Sequence, residues 1–129
     1  MNKKTKRSTQ WVKTKKIKYA GIHLIAECWG GKIREDSKEI EKILIEAARA
    51  AKNIPLKIAI HKFKPQGITG FVLLAKSHIA LHSWPEFDYL AIDIYTCGER
   101  TLPHKAFDYL KKKFKPRKIK IKEIKRGIP

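Results

Sequence analysis

Thr69-Gly70-Phe71-Val72-Leu73-Leu74-Ala75-Lys76-Ser77-His78-Ile79-Ala80-Leu81-His82-Ser83-Trp84-Pro85-Glu86 is the stretch that decides the fold. Thr69 to Lys76 reads as one strand, and His78 to Ser83 continues or follows it. Pro85 breaks the pattern, and Trp84 to Asp88 makes a corner. Tyr89 to Thr96, rich in β-branched and aromatic residues, is the next strand.

Upstream, Gly21 to Cys28 reads as a first strand, with His23, Ile25 and Glu27 facing one way and Ile22, Leu24 and Ala26 the other. Gly30-Gly31 ends it. Asp36 or Ser37 caps a helix that begins about Lys38 and repeats Ile40, Ile43, Leu44, Ala47 and Ala48 at helical spacing. That helix ends near Asn53-Ile54-Pro55. Leu56 to Phe63 follows as a strand, and Lys64 to Gly67 as a turn. Downstream, Pro103 suits the first turn of a second helix with the apolar stripe Ala106, Phe107, Leu110 and Phe114. Pro116 ends it, and Lys118 to Lys122 alternates Lys with Ile, as an edge strand does. The order β-α-β-β-β-β-α-β predicts an α+β two-layer sandwich, a mainly antiparallel sheet with helices packed on one face.

The length of 129 residues supports one core. The net charge of +18 belongs to the ends. Residues 1–18 carry a net +8 and residues 111–126 a net +9, which leaves the stretch between nearly neutral. Residues 1–18 read as a basic, mobile arm and residues 19–129 as a single domain. Basic ends give incidental affinity for polyanions, but no zinc finger, helix-turn-helix or interleaved aromatic pattern makes nucleic acid specific. No apolar run is long enough to span a bilayer, and no apolar segment follows the N-terminal lysines as in a secretory signal, so no membrane partner and a cytoplasmic location are expected. Cys28 and Cys97 make no disulfide framework, and the histidines complete no zinc-ligand spacing, so no metal is expected. Gly67 and Gly70 lack the lysine and the following helix of a phosphate loop.

Polar groups are costly to bury without partners. A strand pair holding Ser77, His78, His82, Glu86 and Cys97 is therefore either a satisfied polar network or an active site. The residue types suit a serine that attacks its own backbone, a histidine that moves protons and a cysteine that delivers one. Taken singly, each has an ordinary reading: a solvated strand serine, a satisfied core histidine, a loop carboxylate, a small buried thiol. His78 and His82, four apart, share a strand face. Ser77 and His82, five apart, point to opposite faces of a straight strand, so spacing alone does not bring them together and a bend near Ser77 is required.

The motifs Gly21-Ile22-His23-Leu24-Ile25-Ala26-Glu27, Phe63-x-Pro65-x-Gly67-Ile68-Thr69-Gly70, Ser77-His78-Ile79-x-x-His82-Ser83-Trp84-Pro85-Glu86, Tyr95-Thr96-Cys97-Gly98 and Lys105-Ala106-Phe107 resemble those of the prokaryotic S-adenosylmethionine decarboxylase proenzymes. The resemblance covers about Gly21 to Gly127. It implies a pyruvoyl-dependent enzyme of polyamine (spermidine) biosynthesis that cuts itself between Lys76 and Ser77, giving a β chain of residues 1–76 and an α chain of residues 77–129. Ser77 matches the serine whose hydroxyl attacks the preceding carbonyl and whose residue becomes the pyruvoyl group, with no metal and no pyridoxal phosphate. His82 matches the proton acceptor of processing, and Thr69 stands where a supporting serine is common. Cys97 matches the acid that protonates the product after decarboxylation through a Schiff base. Phe63 matches the aromatic residue stacked on adenine, and Glu86 the carboxylate that holds the ribose hydroxyls. The resemblance also implies a homodimer of cleaved protomers.

Lys76 stands where the family usually has glutamate, His104 where tryptophan is frequent, and Ala20 where a larger apolar residue is usual. S-adenosylmethionine is the leading substrate. Alternatives are a pyruvoyl-dependent arginine or ornithine decarboxylase on the same scaffold, an uncleaved regulatory homologue, and a small basic nucleic-acid-binding protein.

Overall fold

Nine residues, Gly21–Trp29, with burial alternating from His23 onward, form a strand paired along both of its edges. A computed structural model describes residues 12–13, 18–98 and 100–129. Its strands are β1 (Val12–Lys13), β2 (Lys18–Tyr19), β3 (Gly21–Trp29), β4 (Pro55–Lys62), β5 (Ile68–Leu74), β6 (Ser77–Trp84), β7 (Tyr89–Cys97) and β8 (Lys118–Arg126). Its helices are α1 (Ser37–Ala50) and α2 (Pro103–Phe114), with a 3-10 turn at Pro85–Phe87. β4 to β8 join β3 in one sheet, ordered β4-β5-β6-β7-β3-β8, and every neighbouring pair is antiparallel. The expected α+β sandwich is the observed one. Most of the N-terminal arm lies outside the described residues. Within it Val12–Lys13 pairs with Lys18–Tyr19, a short ladder that the lysine-rich sequence does not announce.

Both helices lie on one face of the sheet. Asp36 caps α1, its carboxylate accepting the Lys38 N–H at 3.1 Å. Ile40, Ile43, Leu44, Ala47 and Ala48 of α1, with Ala106, Phe107, Leu110 and Phe114 of α2, are buried against Leu24, Ala26, Val72, Leu74, Ile79, Leu81, Ile92 and Ile94 of the strands. Burying the Leu, Ile, Val and Phe side chains among them contributes roughly 1.5–3 kcal/mol each. Gly70 lets α1 approach closely, because a Cβ there would lie 3.0 Å from Leu44 Cδ1 and 3.2 Å from Ile40 Cγ2. β8 is the expected edge strand and runs four residues further than the Lys–Ile alternation suggests, to Arg126.

One boundary and one face matter for function. The apolar run from Ile68 to Trp84 is two strands, because Ala75–Lys76 forms a tight turn between β5 and β6. The other face of the sheet carries no helix. There, cross-strand register places Trp84, Tyr89 and Trp29 in one row, Thr69, His82, Ala91 and Glu27 in the next, and His78, Tyr95 and His23 further along.

Candidate active site

The expected site residues fall into two stations at opposite ends of β6. The first surrounds the Lys76–Ser77 peptide. Ser77 has φ +111°, a region that side-chain-bearing residues seldom occupy and that marks stored backbone strain. The chain does bend at Ser77, but the bend carries its hydroxyl to His78 and not to His82. Ser77 pairs with Thr96 in the register that faces the helices, yet its Oγ lies 3.4 Å from Nδ1 of His78, on the open face. The Lys76 carbonyl oxygen accepts two hydrogen bonds, one from the Cys97 backbone N–H at 3.2 Å and one from the Asn53 side-chain amide at 3.2 Å. The Lys76 N–H donates to Asn53 Oδ1 at 3.1 Å. Cys97 ends β7 opposite Gly21, and the Thr101 hydroxyl donates to its carbonyl at 3.2 Å.

The second station is a cavity of about 440 Å³ lined by Phe63, Gln66, Thr69, His82, Trp84 and Glu86 among others. Thr69 Oγ1 lies 3.1 Å from Nδ1 of His82 on the neighbouring strand. Phe63, 49% exposed, meets His61 edge-on at 4.6 Å between ring centroids. Glu86 comes from the 3-10 turn that Pro85 begins. The Glu35 carboxylate accepts the N–H of Gly67, which also lines the cavity, at 3.1 Å. An exposed aromatic face beside a carboxylate is a surface that could stack a base and accept two sugar hydroxyls.

A polar strip joins the stations. His78 stacks on Phe71 (5.6 Å) and meets Tyr95 (6.2 Å), which in turn meets His23 (5.7 Å). His23 Nε2 lies 3.1 Å from the Asp93 carboxylate, and the Arg126 guanidinium covers Tyr95 at 4.9 Å. Burial, reinforced by His23, pushes the His78 imidazole below its ordinary value. Burial and the adjacent Cys97 push the Tyr95 phenol up. At the far end the Tyr89 hydroxyl donates to Glu27, and burial with that bond raises it to about 12. Cys28 lies in the core, where burial and Glu27 raise its thiol to about 11, as for an inert packing residue.

The fold thus brings Phe63, Thr69, His82 and Glu86 together, and separately Lys76, Ser77 and Cys97. It does not bring Ser77 to His82. Five residues of strand separate them, roughly 17 Å. Asn53 belongs to the first station, although the local sequence marks it only as part of a helix stop. Its contact with Lys76 spans 23 positions, and no local pattern encodes it. Among the described residues no group of three or more His, Cys, Asp or Glu side chains could hold a metal ion, and no helix is long and apolar enough to cross a membrane.

The model of the S-adenosylmethionine decarboxylase family matches residues 22–127. The chain is 43% identical over 114 residues to the S-adenosylmethionine decarboxylase proenzyme of Methanococcus maripaludis strain C7, which covers 87% of this chain and 93% of that protein. It is 43% identical over 110 residues to the proenzyme of the same name from Clostridium kluyveri, covering 84% of this chain and 87% of that one. The crystal structure of the adenosylmethionine decarboxylase from Aquifex aeolicus superimposes with a TM-score of 0.80 at 33% identity, covering 86% of this chain and 93% of that one.

Proposed function

The chain belongs to the S-adenosylmethionine decarboxylase family, and from that premise we propose that it is a self-processing proenzyme that removes carbon dioxide from S-adenosylmethionine. The observation that carries the proposal is the first station. The peptide matching the family's cleavage site ends in a serine at φ +111°, and the carbonyl before it already accepts two hydrogen bonds. Strain raises the ground state of that bond, and the donors await the charge that attack creates. Ser77 is the residue from which the pyruvoyl group is made, between a β chain of residues 1–76 and an α chain of residues 77–129.

The pyruvoyl carbonyl supplies an electron sink for loss of carbon dioxide from an amino acid. The chain's own residues supply the rest. Phe63 stacks on the adenine and Glu86 accepts the ribose hydroxyls in the cavity they share. His82, oriented by Thr69, takes the α-proton of residue 77 during processing. The Cys97 thiol donates a proton during turnover. A cavity walled by Phe63 and Glu86 favours a nucleoside over arginine or ornithine as the substrate.

The separation of the stations supports a homodimer. Two copies related by a two-fold axis, open face to open face, set the Ser77–Cys97 end of each against the Phe63–His82–Glu86 end of the other. One interface then completes two equal sites, and the exposed Phe71 and half-buried Ile25 and Tyr95 of the open face gain cover.

Intact mass under denaturing conditions tests the proposal. The expected result is two fragments divided between Lys76 and Ser77, the second blocked to N-terminal sequencing, with carbon dioxide released from S-adenosylmethionine. A single uncut chain, or release from arginine or ornithine instead, overturns it.

A further inference from the structure

We infer that Asn53 is a catalytic donor in self-cleavage: its side-chain amide and the Cys97 backbone N–H together form the oxyanion hole for attack of Ser77 on the Lys76 carbonyl. The inference rests on the self-processing reading of Ser77.

Asn53 lies three residues beyond α1 and is 5% exposed. A buried amide must place both ends. Oδ1 accepts two backbone N–H groups, those of Ile54 and Lys76, each at 3.1 Å. That fixes which end is which, because the flipped amide would set its NH₂ against two N–H donors. The remaining end, Nδ2, donates to the Lys76 oxygen at 3.2 Å. One side chain therefore grips the N–H and the C=O of the residue whose carbonyl is attacked. The second donor, Cys97 N–H, also stands at 3.2 Å. Both bonds are long for a neutral amide acceptor.

In the reaction Ser77 Oγ loses its proton to a base and bonds to the Lys76 carbonyl carbon. The π pair moves onto the oxygen, and that oxygen becomes an alkoxide. Collapse breaks the C–N bond, the Ser77 nitrogen takes a proton, and an ester remains. Hydrogen bonds to an ionised acceptor are shorter and roughly twice as strong as neutral ones. Two donors that are slack in the amide and tight in the alkoxide stabilise the intermediate over the ground state, as catalysis requires. When the ester is later eliminated, the same pair receives the departing Lys76 carboxylate.

The test follows the full chain made by cell-free synthesis, with cleavage read on denaturing gels. Asn53→Asp keeps the size and the Oδ1 acceptor but turns the donor into an oxygen. Cleavage should slow by about 10²-fold, the usual loss for one oxyanion donor. Hydroxylamine, which opens esters but not amides, should not hasten it. Ile43→Val, a core control of comparable or greater thermal destabilisation, should cut at the wild-type rate. Asn53→Asp cutting within about threefold of that control overturns the inference, and so does an uncut chain that hydroxylamine opens, because the block would then follow the ester. If Asn53→Asp does not fold, Asn53→Ala is judged by the same two criteria. A wild-type chain that never cuts removes the self-processing reading itself, and the inference with it.

Discussion

Thr69 Oγ1 lies 3.1 Å from Nδ1 of His82 across the β5–β6 ladder, at the opposite end of β6 from Ser77. The bond fixes the ring's orientation and leaves Nε2 free to meet a proton. Thr69→Val should slow processing up to about tenfold, the worth of one net hydrogen bond, while Thr69→Ser retains it. His82→Ala should lose about 10²–10⁴-fold, as expected for a general base. Timed cleavage of each full chain checks the order; equal rates for Thr69→Val and Thr69→Ser would remove Thr69 from the site.

Ser77→Ala should abolish cleavage, because no β-oxygen remains to attack the Lys76 carbonyl. Cys97→Ala should still cut, since the hydrogen bond to the Lys76 oxygen comes from its backbone and not its thiol. It should nevertheless lose most decarboxylation, by about 10²-fold or more. Full turnover by a processed Cys97→Ala enzyme would refute the thiol's role.

A site shared between copies makes a quantitative demand. Cys97→Ala and Glu86→Gln damage opposite stations, and each homodimer should turn over poorly. Co-expressed in equal amounts, half the dimers are mixed, and each mixed dimer holds one undamaged site. Activity should recover to about a quarter of wild type. No recovery, with mixed dimers present by mass spectrometry, would mean that each chain builds its site alone.

Acid should weaken the fold through His78. Burial, then His23, lowers its imidazole below the ordinary value of 6.5, against the partial opposition of Asp93. The unfolded chain takes up a proton near 6.5 that the native chain accepts only at lower pH. The contribution to stability is therefore complete above 6.5 and is lost as pH falls through the native value. Melting temperatures measured from neutral pH downward should decline, and less steeply in His78→Phe, which keeps the stacking on Phe71. Parallel slopes would show that another group governs the decline.

Much of this architecture is written in local pattern. Alternation gave β3 its two faces, Asp36 its helix cap and Pro103 the first turn of α2, because each depends on neighbours within one element. The parity of five between Ser77 and His82 already forbade a simple meeting, and the structure keeps them apart. The turn at Ala75–Lys76 was not legible. Its residues are as compatible with a strand as with a turn, and only the pairing of Leu74 with Ser77 reveals it. Asn53 was not legible either, because its partners come from a hairpin 23 residues away.

The sheet order has a consequence for the molecule's history. Severed after Lys76, the chain leaves β3, β4 and β5 on one piece and β6, β7 and β8 on the other. In the order β4-β5-β6-β7-β3-β8 the pieces alternate, with β3 clasped between β7 and β8 of its counterpart. They are held together at three seams and cannot drift apart while the sheet stands. Once melted, they must find each other as two strangers in solution, without the tether that guided the first folding. Under the proposed self-cleavage, maturation is a ratchet: the cut that creates the working enzyme erases the single thread from which it was assembled, and heating the finished enzyme should be far harder to undo than heating the uncut Ser77→Ala chain.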